Sequence, residues 1–65
     1  MWVIRSTVLK DRYWSNDWGW VEEGFTIFTD DERVRWGNEY VALMNGEWEW
    51  FDPDHKLYGD PVVSL

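Results

Sequence analysis

Tyr13-Trp14-Ser15-Asn16-Asp17-Trp18-Gly19-Trp20-Val21 holds three of the chain's seven tryptophans around a polar Ser-Asn-Asp cluster and beside a glycine. Short polar side chains bond their own backbone, and Asn16 or Gly19 can take the positive φ that a tight connection needs. Aromatic residues on either side suit a pleated, half-buried surface. The stretch therefore reads as a turn between two short antiparallel strands, Tyr13-Trp14 and Trp18 to Val21. Their indoles supply large flat surfaces for a core or a contact.

Working upstream, Trp2 to Leu9 is rich in β-branched residues and reads as a strand, with Trp2, Ile4 and Val8 sharing the parity expected to face inward. Lys10-Asp11-Arg12 is a polar turn that returns the chain through Tyr13-Trp14. Downstream, Glu22-Glu23-Gly24 breaks the third strand, and Phe25 to Phe28 is a fourth candidate in which Phe28, opposite Phe25 and Ile27, implies that both faces are covered.

Thr29-Asp30-Asp31-Glu32 has the spacing of a capping box, in which a Thr hydroxyl and a Glu carboxylate satisfy each other's exposed backbone N–H groups. Acidic residues then occupy the first turn, as the helix dipole favours, and Gly37 or Asn38 closes the helix. A competing hairpin reading uses the alternation of Val34 and Trp36 with Arg33 and Arg35. Asn45-Gly46 between Glu39–Met44 and Glu47–Phe51 carries a two-residue hairpin signal, which pairs Leu43 with Trp48 and Val41 with Trp50. On that register Tyr40, Ala42, Met44, Glu47, Glu49 and Phe51 face solvent. A rival reading runs the helix through Met44 and stops it at Asn45-Gly46, against which Gly37-Asn38 stands in the middle. The expected fold is α+β, a small twisted antiparallel sheet of four to six short strands with one short helix; the alternative is all-β. Residues 1–65 form a single domain, with a Gly- and Pro-punctuated tail from about 56 that tucks back or frays.

Sixty-five residues lie near the size at which one core is barely sufficient. With no cysteine, disulfides and Cys-ligated zinc are excluded, and one histidine excludes a His-rich metal site. Aromatic packing, or association with copies of itself as a homo-oligomer, must compensate. The net charge is −7 and uneven: Arg5, Lys10 and Arg12 face only Asp11 in residues 1–12, whereas residues 13–65 hold three basic and twelve acidic side chains. Such a body repels phosphate backbones, which argues against direct nucleic-acid binding and favours basic partners. No apolar run reaches membrane-spanning length and no secretory leader is evident, so the expectation is a protein of the cytoplasm.

At Tyr13-Trp14-Ser15-Asn16-Asp17, Gly19-Trp20-Val21 and Phe28-Thr29 with Asp31-Glu32, the chain resembles a group of short uncharacterised proteins encoded by bacteriophages and prophages. Their members carry a similar Tyr-Trp-Ser-Asn, Gly-Trp-Val and Phe-Thr followed by acidic residues that open a helix. The resemblance spans roughly residues 13 to 33. It implies a phage accessory protein acting in the host cytoplasm and a helix at Thr29, and it carries over no functional residue. The tryptophan-rich segment in the second half is not part of the pattern.

Chemistry-bearing constellations are sparse. Asp52-Pro53-Asp54-His55 offers oxygen ligands to a hard cation but lacks the alternating acids and bend glycine of a calcium loop, and Asp-Pro-Asp is commonly a turn. Glu47 and Glu49 are too close and too open to work as glycosidase carboxylates, lying about 7 Å apart along one strand face. A single histidine leaves no Ser/His/Asp set. The reading is a non-enzymatic protein without a cofactor or metal, which binds a host protein through a basic surface of that partner and modulates or inhibits it. Glu22, Glu23, Asp30, Asp31, Glu32, Glu47 and Glu49 are the candidate contact residues, forming a face that imitates the charge of DNA, with Trp36 and Trp50 as exposed anchors. The alternatives are a carbohydrate-binding module stacking sugars on tryptophan, or a homo-oligomeric structural protein.

Overall fold

A computed structural model describes residues 1–52, and its sheet is built outward from β1 (Trp2–Ser6). The other strands are β2 (Tyr13–Ser15), β3 (Gly19–Val21) and β4 (Gly46–Trp50), in the spatial order β3-β2-β1-β4 with every pairing antiparallel. Between β3 and β4 the chain forms α1 (Asp30–Trp36) and α2 (Asn38–Leu43). The fold is therefore α+β, with a four-stranded antiparallel sheet and two short helices rather than one. The readings that fall on residues 53–65, the Asp54-His55 pair and the tail among them, lie outside the described residues.

Both turns of the β1-β2-β3 meander use the same device. Ser15 is buried, and its Oγ accepts from the backbone N–H groups of Asp17 at 3.1 Å and Trp18 at 3.0 Å. Ser6 is buried as well, and its Oγ accepts from Val8 N at 3.1 Å and Leu9 N at 2.8 Å. Each hydroxyl replaces lost ladder bonds, which lets the strand end abruptly. This corrects the expected length of the first strand: it stops at Ser6, and Val8, expected inside, stands exposed.

Val3 and Ile4 are neighbours that point to opposite faces, and neither has any exposed surface. Both sides of the sheet are thus covered. On one side Val3 packs with Phe25 and Phe51, joined by Tyr13, Val21 and Ile27. On the other, Ile4 packs with Phe28 and Val41, joined by Trp2, Trp14, Trp20, Trp36 and Trp48. Phe51, expected to face solvent, is buried instead. The 25–28 segment can serve both faces because it threads beside β1. Phe28 exchanges backbone hydrogen bonds with Trp2, and Thr26 N donates to Trp14 O at 2.9 Å. It is not a full strand; only an isolated bridge forms there.

The capping box at Thr29 is present: Glu32 N donates to Thr29 Oγ1 at 3.2 Å, and Thr29 N donates to Glu32 Oε1 at 2.8 Å. Gly37, at φ 81°, ends α1 and begins α2. The expected Glu39–Met44 strand is thereby corrected to a helix. Asn45 takes φ 64° and its N–H donates to Ala42 O at 3.0 Å, so the Asn-Gly pair stops a helix instead of turning a hairpin. β4 then pairs with β1, placing Trp48 opposite Ile4 and Trp50 opposite Trp2.

Candidate functional site

The predicted acidic residues do not converge. Glu47 and Glu49 extend from the sheet face that carries Val3, where both pair with Arg5; Arg5 Nε lies 2.8 Å from Glu49 Oε1. Burial opposes the Arg5 charge, but the two carboxylates outweigh it and push its already high pKa further up. Burial also raises the Tyr13 phenol above its ordinary value of 10, with Glu49 and Asp11 adding to the effect and Arg5 opposing it. Glu22 is bound by Arg12 at 2.6 Å, and Glu23 stands exposed beside it. Asp30, Asp31 and Glu32 open α1 on the opposite side of the sheet from Glu47 and Glu49. Much of the negative charge is thus committed to internal partners.

The helix side holds a denser arrangement. Trp2 Nε1 donates to Asp30 Oδ1 at 2.7 Å, which fastens the start of α1 to β1. Trp50 packs edge-on against Trp2 with ring centroids 5.2 Å apart, yet keeps 53% of its surface exposed. Asp31, one residue along, is exposed and makes no ion pair among the described residues. One surface therefore presents an accessible indole next to the acidic turn of α1. Trp36, the other expected anchor, is instead half-buried, edge-on to Phe28 at 5.1 Å and tilted against Tyr40. Trp18, expected to open the third strand, instead lies in the turn before β3 and is 77% exposed; it was not among the tryptophans expected as anchors. Its place at the tip of a turn was the available signal.

Further along α1, Arg33 reaches across the sheet. Its guanidinium carbon lies 4.3 Å from the Trp2 ring centroid and 5.8 Å from that of Trp48, a cation–π arrangement with two indoles. Unlike Arg5 and Arg12, it has no carboxylate partner among the described residues. Arg33 Nε and Trp48 Nε1 are both buried without a hydrogen-bond acceptor. Leaving such a donor unsatisfied costs about 1–3 kcal/mol. Beside them is an open hollow of about 270 Å³ lined by Arg33, Asn38, Val41, Ala42, Glu47 and Trp48. Sequence reasoning missed Arg33, because its indole neighbours lie in distant strands.

Comparison of the chain with known protein families, curated proteins and solved structures finds no match. Its function has to be argued from these surfaces. Among the described residues no group of three or more His, Asp or Glu side chains is placed to hold a metal ion, and no helix is long and apolar enough to cross a membrane.

Proposed function

We propose that this chain is a non-enzymatic binding protein that engages a basic surface on a host protein through Trp50 and the acidic first turn of α1. The observation that carries this reading is the chain of contacts from Trp50 through Trp2 to Asp30, which sets an accessible indole beside Asp30 and Asp31. An indole with carboxylates at its side is complementary to Lys or Arg: the ring face takes the cation and its alkyl stem, and the acids pair with its charge. Tryptophan is also enriched among the residues that dominate interface energetics. The net charge of −7 supports the choice of a basic partner, both by attraction at a distance and by the penalty on acidic competitors. The phage-like pattern in the first half makes a bacterial host cytoplasm the proposed setting.

Glu47, Glu49 and Glu22 are proposed to contribute only to the surrounding field, since each already pairs with an arginine of this chain. Affinity capture from bacterial lysate with the wild-type chain, Trp50→Ala and Asp31→Lys tests the reading. The wild type should retain a basic protein at low salt and release it as ionic strength rises, while both variants, folded by circular dichroism, lose it. Equal retention by all three proteins, or retention indifferent to salt, overturns it.

A further inference from the structure

Of the three asparagines, only Asn45 precedes a glycine; Asn16 is followed by Asp17 and Asn38 by Glu39. An Asn-Gly pair is chemically unstable in an open chain. The backbone nitrogen of the glycine, once it has lost its proton to a base in solvent, attacks the side-chain Cγ of the asparagine. A C–N bond forms, the Cγ–Nδ2 bond breaks, and ammonia leaves with its third hydrogen taken from solvent. Water then opens the five-membered imide at either carbonyl. The product is aspartate or its isoaspartyl isomer, in which the main chain runs through the former side chain. Glycine favours the attack because no Cβ obstructs its nitrogen.

The fold opposes this reaction without hiding Asn45, which is exposed. Its φ of 64° is left-handed, the conformation in which Cβ crowds the residue's own carbonyl oxygen. The peptide unit is planar, so an oxygen beside Cβ leaves the Gly46 nitrogen across the carbonyl carbon, turned away from the atom it would attack. Reaching Cγ takes about half a turn of the peptide unit around the Cα–C bond. That rotation is resisted at both ends. At one, Asn45 O accepts from Thr7 N at 2.8 Å and from Thr7 Oγ1 at 3.0 Å. At the other, Gly46 is buried, and Ile4, Trp20 and Val41 fill the space that a Cβ would take. The Asn45 N–H, donating to Ala42 O at 3.0 Å, holds φ in place. The room that makes glycine permissive in an open chain is taken here by the core.

We infer that Asn45 is a site of spontaneous modification that the fold keeps closed, reacting only when its contact with Thr7 opens and the start of β4 leaves β1. The rate is then set by the fraction of time the contact is open. Gly46 stands opposite Ser6 in the β1–β4 ladder, and its neighbours Ile4 and Val41 belong to one core, so the opening is not confined to a loop. Aspartate at position 45 keeps the main chain unchanged and tolerates the left-handed conformation. The isoaspartyl form lengthens the main chain by one methylene, and its carbonyl cannot return to Thr7 while Gly46 stays against Ile4. Each such event leaves a chain whose β4 no longer seats fully on β1. The site is separate from the Trp50–Asp31 surface, and neither reading requires the other.

The test incubates the intact chain in buffer and in unfolding guanidinium chloride, at the same pH, temperature and ionic strength. Mass spectrometry follows the conversion of each asparagine from amide to acid. In denaturant Asn45 should convert ahead of Asn16 and Asn38. In buffer it should convert about tenfold or more slowly than in denaturant, as loss of the Thr7 bonds and of the Gly46 packing implies. Thr7→Val keeps the backbone bond and the side-chain shape but loses the hydroxyl. It should speed conversion in buffer about two- to tenfold and leave the rate in denaturant unchanged. Isoaspartyl protein returned to buffer should unfold at a lower urea midpoint than unreacted protein. The wild-type comparison is decisive even if Thr7→Val fails to fold. Equal Asn45 rates in buffer and denaturant, no Asn45 conversion in denaturant, a folded Thr7→Val protein that converts in buffer no faster than wild type, or an isoaspartyl product as stable as the unreacted chain would each overturn the inference.

Discussion

Gly46 is held to the smallest side chain by its neighbours, not by its backbone. A Cβ placed there would meet Ile4 Cγ2 at 2.6 Å, Trp20 Cη2 at 3.1 Å and Val41 Cγ1 at 3.4 Å. Glycine in a strand ordinarily weakens it, by roughly 0.5–1 kcal/mol relative to alanine. That gain is unavailable here, because the nearest atom belongs to Ile4, which has no exposed surface and nowhere to move. Gly46→Ala should therefore destabilise the protein by about 1–3 kcal/mol, the usual cost of overpacking a closed core. Urea unfolding measures it directly, and a midpoint equal to or above that of the wild type would show that the contact relaxes. The residue was legible in the sequence as half of an Asn-Gly turn. Its crowding was not, since Ile4, Trp20 and Val41 come from three distant segments.

At the scale of elements, what could be read in advance was what is chemically local. The Ser15-Asn16-Asp17 turn and the Thr29–Glu32 capping box depend on groups within three residues of one another, and both form. For Glu39–Met44 the hairpin strand was set against a rival helix stopped at Asn45-Gly46, because Asn-Gly reports a left-handed residue that a hairpin and a helix end use equally well; Asn45 at φ 64° serves the helix end. Gly37, read as a stop, is the break between two helices. The Trp50–Trp2–Asp30 chain and the Arg33 stack were illegible for the opposite reason, being assembled only by the β1–β4 register. The local cap still has a measurable effect. α1 has seven residues and none that is fully buried, so little packing secures it. Thr29→Ala should cost about 1 kcal/mol, and Thr29→Ser should restore most of it. Hydrogen exchange of the α1 amides should accelerate in Thr29→Ala by the corresponding factor. Unchanged exchange would mean that the Trp2–Asp30 bond alone pins the helix.

At the scale of the whole molecule, the two cores lie on opposite faces of one sheet and share β1 as their common wall, through Val3 on one side and Ile4 on the other. Backbone hydrogen bonds tie β1 to β4, to β2 and to the Phe28 bridge, so neither core can come apart without exposing the other. Unfolding should accordingly be a single transition, as in other small domains. The uneven placement of the tryptophans makes this testable. Those in contact with a core are on the Ile4 side, whereas the Val3 core has Tyr13 as its ring of intermediate exposure and no indole. Val3→Ala removes two methyl groups from the side without tryptophan, and stability should fall by about 1–3 kcal/mol, within the common range for core truncations. If the cores are coupled, tryptophan fluorescence will report that loss in full, with the same shifted urea midpoint as far-ultraviolet circular dichroism. If they are separable, the fluorescence midpoint will stay at its wild-type value while the dichroism curve broadens or splits. For a domain of this size, whose total stability is on the order of 3–10 kcal/mol, the coupled outcome also means that damage to the Val3 face lowers the population presenting Trp50, without touching the binding surface itself.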